Sequence, residues 1–279
     1  MKRVLSVLLA LVVSVAPVFA NVKPSKGFDK KVYDGAFALY ASSHEVGIRD
    51  RFICSAQAFK KVGDGYLLLS AGHCTPANPG LPPDMEFSVA EDLGGSLTPV
   101  VLVQSQLDRD NRVDFSEFYL RTNKSYPMME LGDESDARIG DETIDVNFSL
   151  ALNKFASKGH VSSEVQKDGE MKGLFGVDQF DSHGASGSSV VDKRTKKVIG
   201  IVVAGVDGAT VSTWVEPIST IKKELAKVTL PRSTKPYVSV KYPAYVPSVD
   251  DSMPKLPAGT PETAPAVGVV ADQAKHYDE

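Results

Sequence analysis

Three side chains of this 279-residue chain have the types needed to break an acyl bond, provided that folding brings them together. They are His73 in YLLLSAGHCT (66–75), Asp114 in RVDFSEFYL (112–120) and Ser186 in DSHGASGSSVVD (181–192). A serine hydroxyl attacks a carbonyl only when a base takes its proton and N–H donors stabilise the developing oxyanion. A histidine can be that base, and a buried carboxylate needs a partner such as an imidazole N–H.

The turn around Ser186 suits the second requirement. Glycine at 184 and 187 permits the backbone angles of a tight turn, in which the N–H groups of Gly184 and Ser186 converge as oxyanion donors. Each piece alone also has a plain structural reading. A Gly/Ser stretch serves as a flexible loop, and a histidine at a strand end serves as a hydrogen-bonding residue. Asp114 is distinguished from Asp108 and Asp110 by its position against Phe115, Phe118 and Leu120, a run that would bury it; the other two lie in a solvated turn.

The elements that must position these residues read as β-structure. Short apolar runs recur between residues 36 and 215: AFALYAS, RFICSAQAFKKV, GYLLLSAGHC, TPVVLVQSQ, ETIDVNFSLAL, KVIGIVVAGV and ATVSTWVEP. They are bounded by Gly, Asp, Asn or Pro, with no long helical period between them, which argues for an all-β sandwich or barrel. One helix is expected late, over 216–228, with Pro217 in its first turn and Ile218, Ile221 and Leu225 on one face. From residue 231 to 279 prolines recur every few residues and no amphipathic period is sustained, the pattern of an extended or disordered tail.

The first twenty residues read as an export signal. Lys2 and Arg3 precede an apolar stretch from Val4 to about Val15, and Val18-Phe19-Ala20 forms a small-residue cleavage box after Pro17. The alternative is an uncleaved membrane anchor, for which the run is short. The residue directly after Ala20 is Asn21 and not cysteine, which argues against a lipid anchor. In an oxidising compartment the only two cysteines, Cys54 and Cys74, are expected to pair. Such a bridge stabilises by about 3 kcal/mol in the chain-entropy model; two buried free thiols are the other reading. Loss of Lys2 and Arg3 takes the formal charge from −4 to −6. That balance gives no reason to expect nucleic acid, or a membrane partner after cleavage. The five histidines do not cluster at ligand spacing, so no metal or other cofactor is expected.

Taken together, these segments resemble the trypsin-like (chymotrypsin-fold) serine proteases, nearer the bacterial and viral members than the digestive trypsins. LLLSAGHC is similar to the His-bearing segment, VDFSEFYL to the Asp segment and HGASGSSVVD to the Ser segment, in that superfamily's order. LGDESDARIGDETIDVNFSLAL (131–152) is similar to a segment common in bacterial and viral members. The resemblance covers roughly residues 36–228. It implies two six-stranded antiparallel β-barrels, a C-terminal helix and a site in the cleft between the barrels. It also implies a Cys54–Cys74 bridge, His73 as general base, Asp114 as its orienting partner, Ser186 as nucleophile, and Gly184 and Ser186 as the oxyanion hole. The expected domains are a signal at 1–20, an extension at 21–35, a protease domain at 36–230 and the tail at 231–279.

Several residues depart from the family pattern. Ser116 and Glu117 alter the Asp segment, and Ser189 stands where proline is usual. Ala185 replaces the aspartate that pairs with a freed N-terminus in digestive and clotting members, so no dependence on that kind of activation is expected. Phe180, six residues before Ser186, falls at the implied base of the substrate pocket, with Val203 and Gly205 along its wall. An apolar P1 side chain is therefore expected. The function expected is secreted or periplasmic endopeptidase action on proteins or peptides. The alternatives are an inactive protease-like binding protein and an esterase with the same triad, the latter disfavoured because Gly-x-Ser-x-Gly is absent. His183 is expected to line the cleft.

Overall fold

Two strands near the start of the chain, β1 (Ala36–Ser43) and β3 (Gly65–Ser70), are buried nearly end to end, so both of their faces must be covered. Phe37, Leu39 and Ala41 of β1 join Tyr66 and Leu68 of β3 in one apolar cluster. The alternate residues Ala38 and Tyr40 pack instead with Phe148 and Phe52. The period-2 alternation of a strand thus feeds a barrel interior on one side and an inter-barrel contact on the other.

The computed structural model describes residues 27–108, 113–205 and 213–226. The expected signal (1–20) and tail (231–279) lie outside the described residues. The chain divides into two units, Met1–Lys235 and Pro236–Glu279, and every described residue belongs to the first.

The first sheet adds β2 (Ile48–Val62), β4 (Glu86–Ala90), β5 (Thr98–Asp108) and β6 (Val113–Arg121), and closes in the order β1-β2-β3-β6-β5-β4. The second comprises β7 (Glu142–Asn147), β8 (Phe155–His160), β9 (Phe175–Val177), β10 (Ser189–Asp192), β11 (Lys197–Gly205) and β12 (Thr213–Pro217), in the order β8-β7-β10-β11-β12-β9. A single antiparallel bridge, Val161 to Val177, joins its two ends, so the sheet curls into a second barrel. The expected pair of six-stranded antiparallel barrels is the fold observed.

The seam between the barrels is apolar and drawn from everywhere in the chain. Leu69 and Phe115 of the first barrel meet Ile144, Val146, Val191, Val198 and Ile201 of the second. Val32 of α1 (Phe28–Asp34) and Ile218 and Ile221 of α2 (Ile218–Leu225) complete it. Each fully buried Leu, Ile or Phe there contributes about 1.5–3 kcal/mol. The helix expected from 216 begins later, because Glu216 and Pro217 finish β12 by pairing with Ile201 and Gly200. The Glu134 carboxylate then accepts the Ser219 N–H at 3.0 Å and its hydroxyl, satisfying donors that a helix N-terminus leaves open. Cys54 on β2 and Cys74 are joined by the expected disulfide, which ties β2 to the turn carrying His73.

Candidate active site

His73 lies in a single 3-10 turn, Gly72–Cys74, immediately after β3. Asp114 lies at the start of β6, the strand paired with β3. The carboxylate takes the His73 backbone N–H at 2.9 Å on Oδ1 and the ring Nδ1 at 2.7 Å on Oδ2. Gripping both ends of one residue fixes the ring's orientation and leaves Nε2 as the basic nitrogen. Burial works against a charged imidazole, yet the charge and hydrogen bond of Asp114 outweigh it and hold the His73 pKa above 6.5. The departure at Ser116 has a use here, because its buried hydroxyl donates to the Ala71 carbonyl at 2.8 Å and holds the same turn to β6. Glu117, the second departure, is buried on the same strand and takes a hydrogen bond from Gln104 at 2.8 Å; burial raises its pKa despite that bond.

Ser186 is carried by two successive β-turns. Ala185 N–H bonds to Ser182 O at 2.9 Å, and Ser188 N–H bonds to Ala185 O at 2.8 Å. The third residue of each is a glycine at positive φ, Gly184 at 97° and Gly187 at 86°, the signature of type II turns. Ser186 therefore stands at the corner of the second turn. Among the described residues neither its N–H nor that of Gly184 donates a hydrogen bond, which suits both for an oxyanion.

Ser55, directly after Cys54, brings this turn to the histidine. Its N–H donates to Ser186 O at 2.9 Å and its hydroxyl to Gly184 O at 2.7 Å. That hydroxyl also accepts the Phe148 N–H at 3.2 Å, while the Ser55 carbonyl accepts Ser70 Oγ at 2.7 Å. A Cβ added at Gly187 would run into Ser70 Oγ, Ser55 O and Ala71 N. The turn of the second barrel thus lies against the strand end that carries His73 in the first. No hydrogen bond joins Ser186 Oγ to His73 among the described residues; such contacts commonly tighten only in the substrate complex.

With this geometry in view, comparison with known proteins is informative. A family model described as a trypsin-like peptidase domain matches residues 54–201, just over half of the chain, a span that includes His73, Asp114 and Ser186. The chain belongs to that family. Among solved structures it is similar to an HtrA-type protease determined with a tripeptide, at 19% identity and a TM-score of 0.56, over 72% of this chain and 61% of that one. It is also similar to a serine endoprotease from Yersinia pestis, at 16% identity and a TM-score of 0.54, over 74% of this chain and 67% of that one. At these identities the likeness speaks to the fold, and the chain spans less than two thirds of the first structure's length. No curated protein matches.

The remaining family positions sit as follows. Ala185 is 1% exposed within the apolar cluster of Val161, Phe175, Val177 and Val190, so an aspartate there would be a buried charge without a partner. Phe180 is 42% exposed, with its ring against Phe155. Val203 packs against the first barrel's core and the apolar seam between the barrels, and Gly205 is exposed at the end of β11. His183 is exposed, and its carbonyl takes the Leu150 N–H at 2.7 Å. Among the described residues the only group of three side chains close enough to hold an ion is Cys54, His73 and Cys74, and both sulfurs are spent in the disulfide. Ser55, Ser70, Asp145 and Asp181 also shape the site and were not singled out in the sequence. The one signal for Ser55 was its place beside Cys54.

Removing the Ser55 hydroxyl strands the buried Gly184 carbonyl and Phe148 N–H together. Ser55→Ala is expected to lower the unfolding free energy by about 1–3 kcal/mol, read as a lower urea midpoint at unchanged slope.

Proposed function

We propose that the protein is an exported serine endopeptidase in which Ser186 attacks, His73 moves the proton and Asp114 orients His73. The observation that carries this reading is the double grip of Asp114 on His73 at a turn against which the Ser186 turn is packed. Ser186 Oγ adds to the scissile carbonyl while Nε2 of His73 takes its proton, and the N–H groups of Gly184 and Ser186 receive the oxyanion. The imidazolium then protonates the departing amine, leaving an acyl-enzyme. Water, deprotonated by the same nitrogen, hydrolyses the ester and restores Ser186.

Export rests on the signal-like residues 1–20. The protease domain is assigned to 36–230, the preceding 21–35 to an extension and 231–279 to a tail. The apolar P1 preference finds support in exposed apolar side chains beside the Ser186 turn. Phe180 leads into that turn, and Leu150, 54% exposed, bonds back to His183. A catalytically inert, protease-like binding protein is the competing reading, favoured by the missing His73–Ser186 hydrogen bond.

A fluorophosphonate probe separates the two. The exported protein should carry the adduct on Ser186 of a chain beginning at Asn21, and Ser186→Ala should carry none. An unlabelled wild type makes the protein a binder. In a peptide library, cleavage should follow apolar residues; dominance of Arg or Glu at P1 would refute the pocket assignment. Because the base works only when neutral and its pKa is raised, kcat/KM should fall as pH drops through a midpoint above 6.5. Asp114→Asn should cut kcat by about 10⁴ and move that midpoint downward, because burial then acts on the imidazole unopposed.

A further inference from the structure

The interior of the second barrel is apolar at one end and polar where the Ser186 turn sits. Thr143, Asp145 and Asn147 share one face of β7, since side chains two apart on a strand point the same way. All three are fully buried. Asp145 Oδ2 accepts the Ser188 hydroxyl at 2.8 Å and the Asn147 amide at 2.7 Å. The same amide nitrogen donates to Asp181 Oδ1 at 2.6 Å, and Gln179 donates to Asp181 Oδ2 at 3.1 Å. Gln179 is fixed in turn by Thr143 and by Thr213 of β12. The Asn147 amide nitrogen thus joins the two acids, and Asp145 Oδ1 is buried with no hydrogen-bond partner among the described residues, so an ionised Asp145 would hold an unsatisfied charged oxygen. Burial first, then the Asp181 charge, pushes Asp145 well above the usual carboxylate range; burial also raises Asp181.

Nothing around the pair supplies a counter-charge. From β8 the residue opposite Asp145 is Ser157, and from β10 the residue opposite Thr143 is Asp192, another acid. β12 contributes Thr213, and the adjoining turn contributes His183, which is exposed. No Lys, Arg or His forms an ion pair with either carboxylate among the described residues. Two carboxylates bridged by one amide, Asp145 fully buried and Asp181 partly so, do not both ionise without cost.

We propose that Asp145 and Asp181 are positioning residues, one of which keeps a proton, and that through Ser188 they hold the Ser186 turn in place, releasing it when that proton is lost as pH rises. The step deepens the reading of Ser186 as nucleophile and rests on it. Its sign follows from linkage. An unfolded carboxyl releases its proton near pH 4, whereas the folded pair keeps it. Stability contributed by the pair is therefore complete at low pH, and is lost as pH rises toward the value at which the folded pair deprotonates.

The test scans pH with two readouts, the rate of fluorophosphonate labelling at Ser186 and the fluorescence of Trp214. Trp214 is the chain's only tryptophan and neighbours Thr213 on β12. Its signal needs no catalysis. In wild type both readouts should pass through one high-pH transition, labelling falling about tenfold per pH unit beyond it. Asp145→Asn supplies an amide where the protonated acid stood, and Asp181→Asn removes the other charge. Each should abolish the transition in both readouts while leaving the low-pH limb set by His73. A fluorescence transition at the same pH in wild type and both variants would overturn the proposal, as would its absence from wild type. A protein that never labels, yet shows a fluorescence transition lost in both variants, would overturn only the nucleophile reading.

Discussion

The candidate site in this fold depends on how Ser55 is satisfied. The residue sits in the wall of one barrel, yet its N–H and hydroxyl both point into a turn of the other, while its carbonyl answers Ser70 beneath the His73 turn. Buried polar groups are costly unless paired, so these groups lock the two barrels in one register. A relative slide of the barrels would break several of these bonds at once, and the apolar seam of Leu69, Phe115, Ile144 and Ile201 would part with them. The disulfide reinforces the same point, since Cys54 precedes Ser55 and Cys74 follows His73.

Two pairs of ionisable groups shielded from solvent to different degrees flank the Ser186 turn, and they solve the same problem in opposite ways. At His73 and Asp114 the charges are opposite, so burial is offset by attraction and the imidazole is made a better base. At Asp145 and Asp181 the charges are alike, so burial and repulsion combine and only a retained proton relieves them. One arrangement tunes a proton for transfer; the other keeps a proton in place. The geometry makes each pair answerable to pH: losing its proton frees His73 to act as a base, whereas losing theirs sets the two acids against each other.

Much of the fold was legible because strands announce themselves by buried runs between turn residues, and β1, β3, β5 and β11 lie where AFALYAS, GYLLLSAGHC, TPVVLVQSQ and KVIGIVVAGV predicted them. The short or polar elements were not. β4 (EFSVA), β8 (FASKGH) and β9 (FGV) carry too few apolar residues to show a period, and α1 is only seven residues long. Such segments owe their form to pairing partners already in place rather than to their own pattern. The His73–Asp114 contact was legible because both motifs have a recognisable setting. Ser55 and Asp145 were not, because a serine in FICSAQ and an aspartate in ETIDVN look like any surface polar residue until a partner forty or more positions away is known.

The departures from family pattern acquire a common reason from this packing. Ser116 bonds Ala71, Glu117 takes a hydrogen bond from Gln104, and Ala185 fills an apolar cluster. In each case the local sequence serves the inward side of a segment of the candidate site, while His73, Asp114 or Ser186 keeps the family's type. An aspartate at 185 would need a buried cationic partner in place of Val161, Phe175 and Val177, none of which can supply one. Support for the Ser186 turn must therefore come from groups already inside the second barrel. The hydrogen-bonded chain from Thr213 through Gln179 and Asp181 to Asp145 and Ser188 lies where that support is needed.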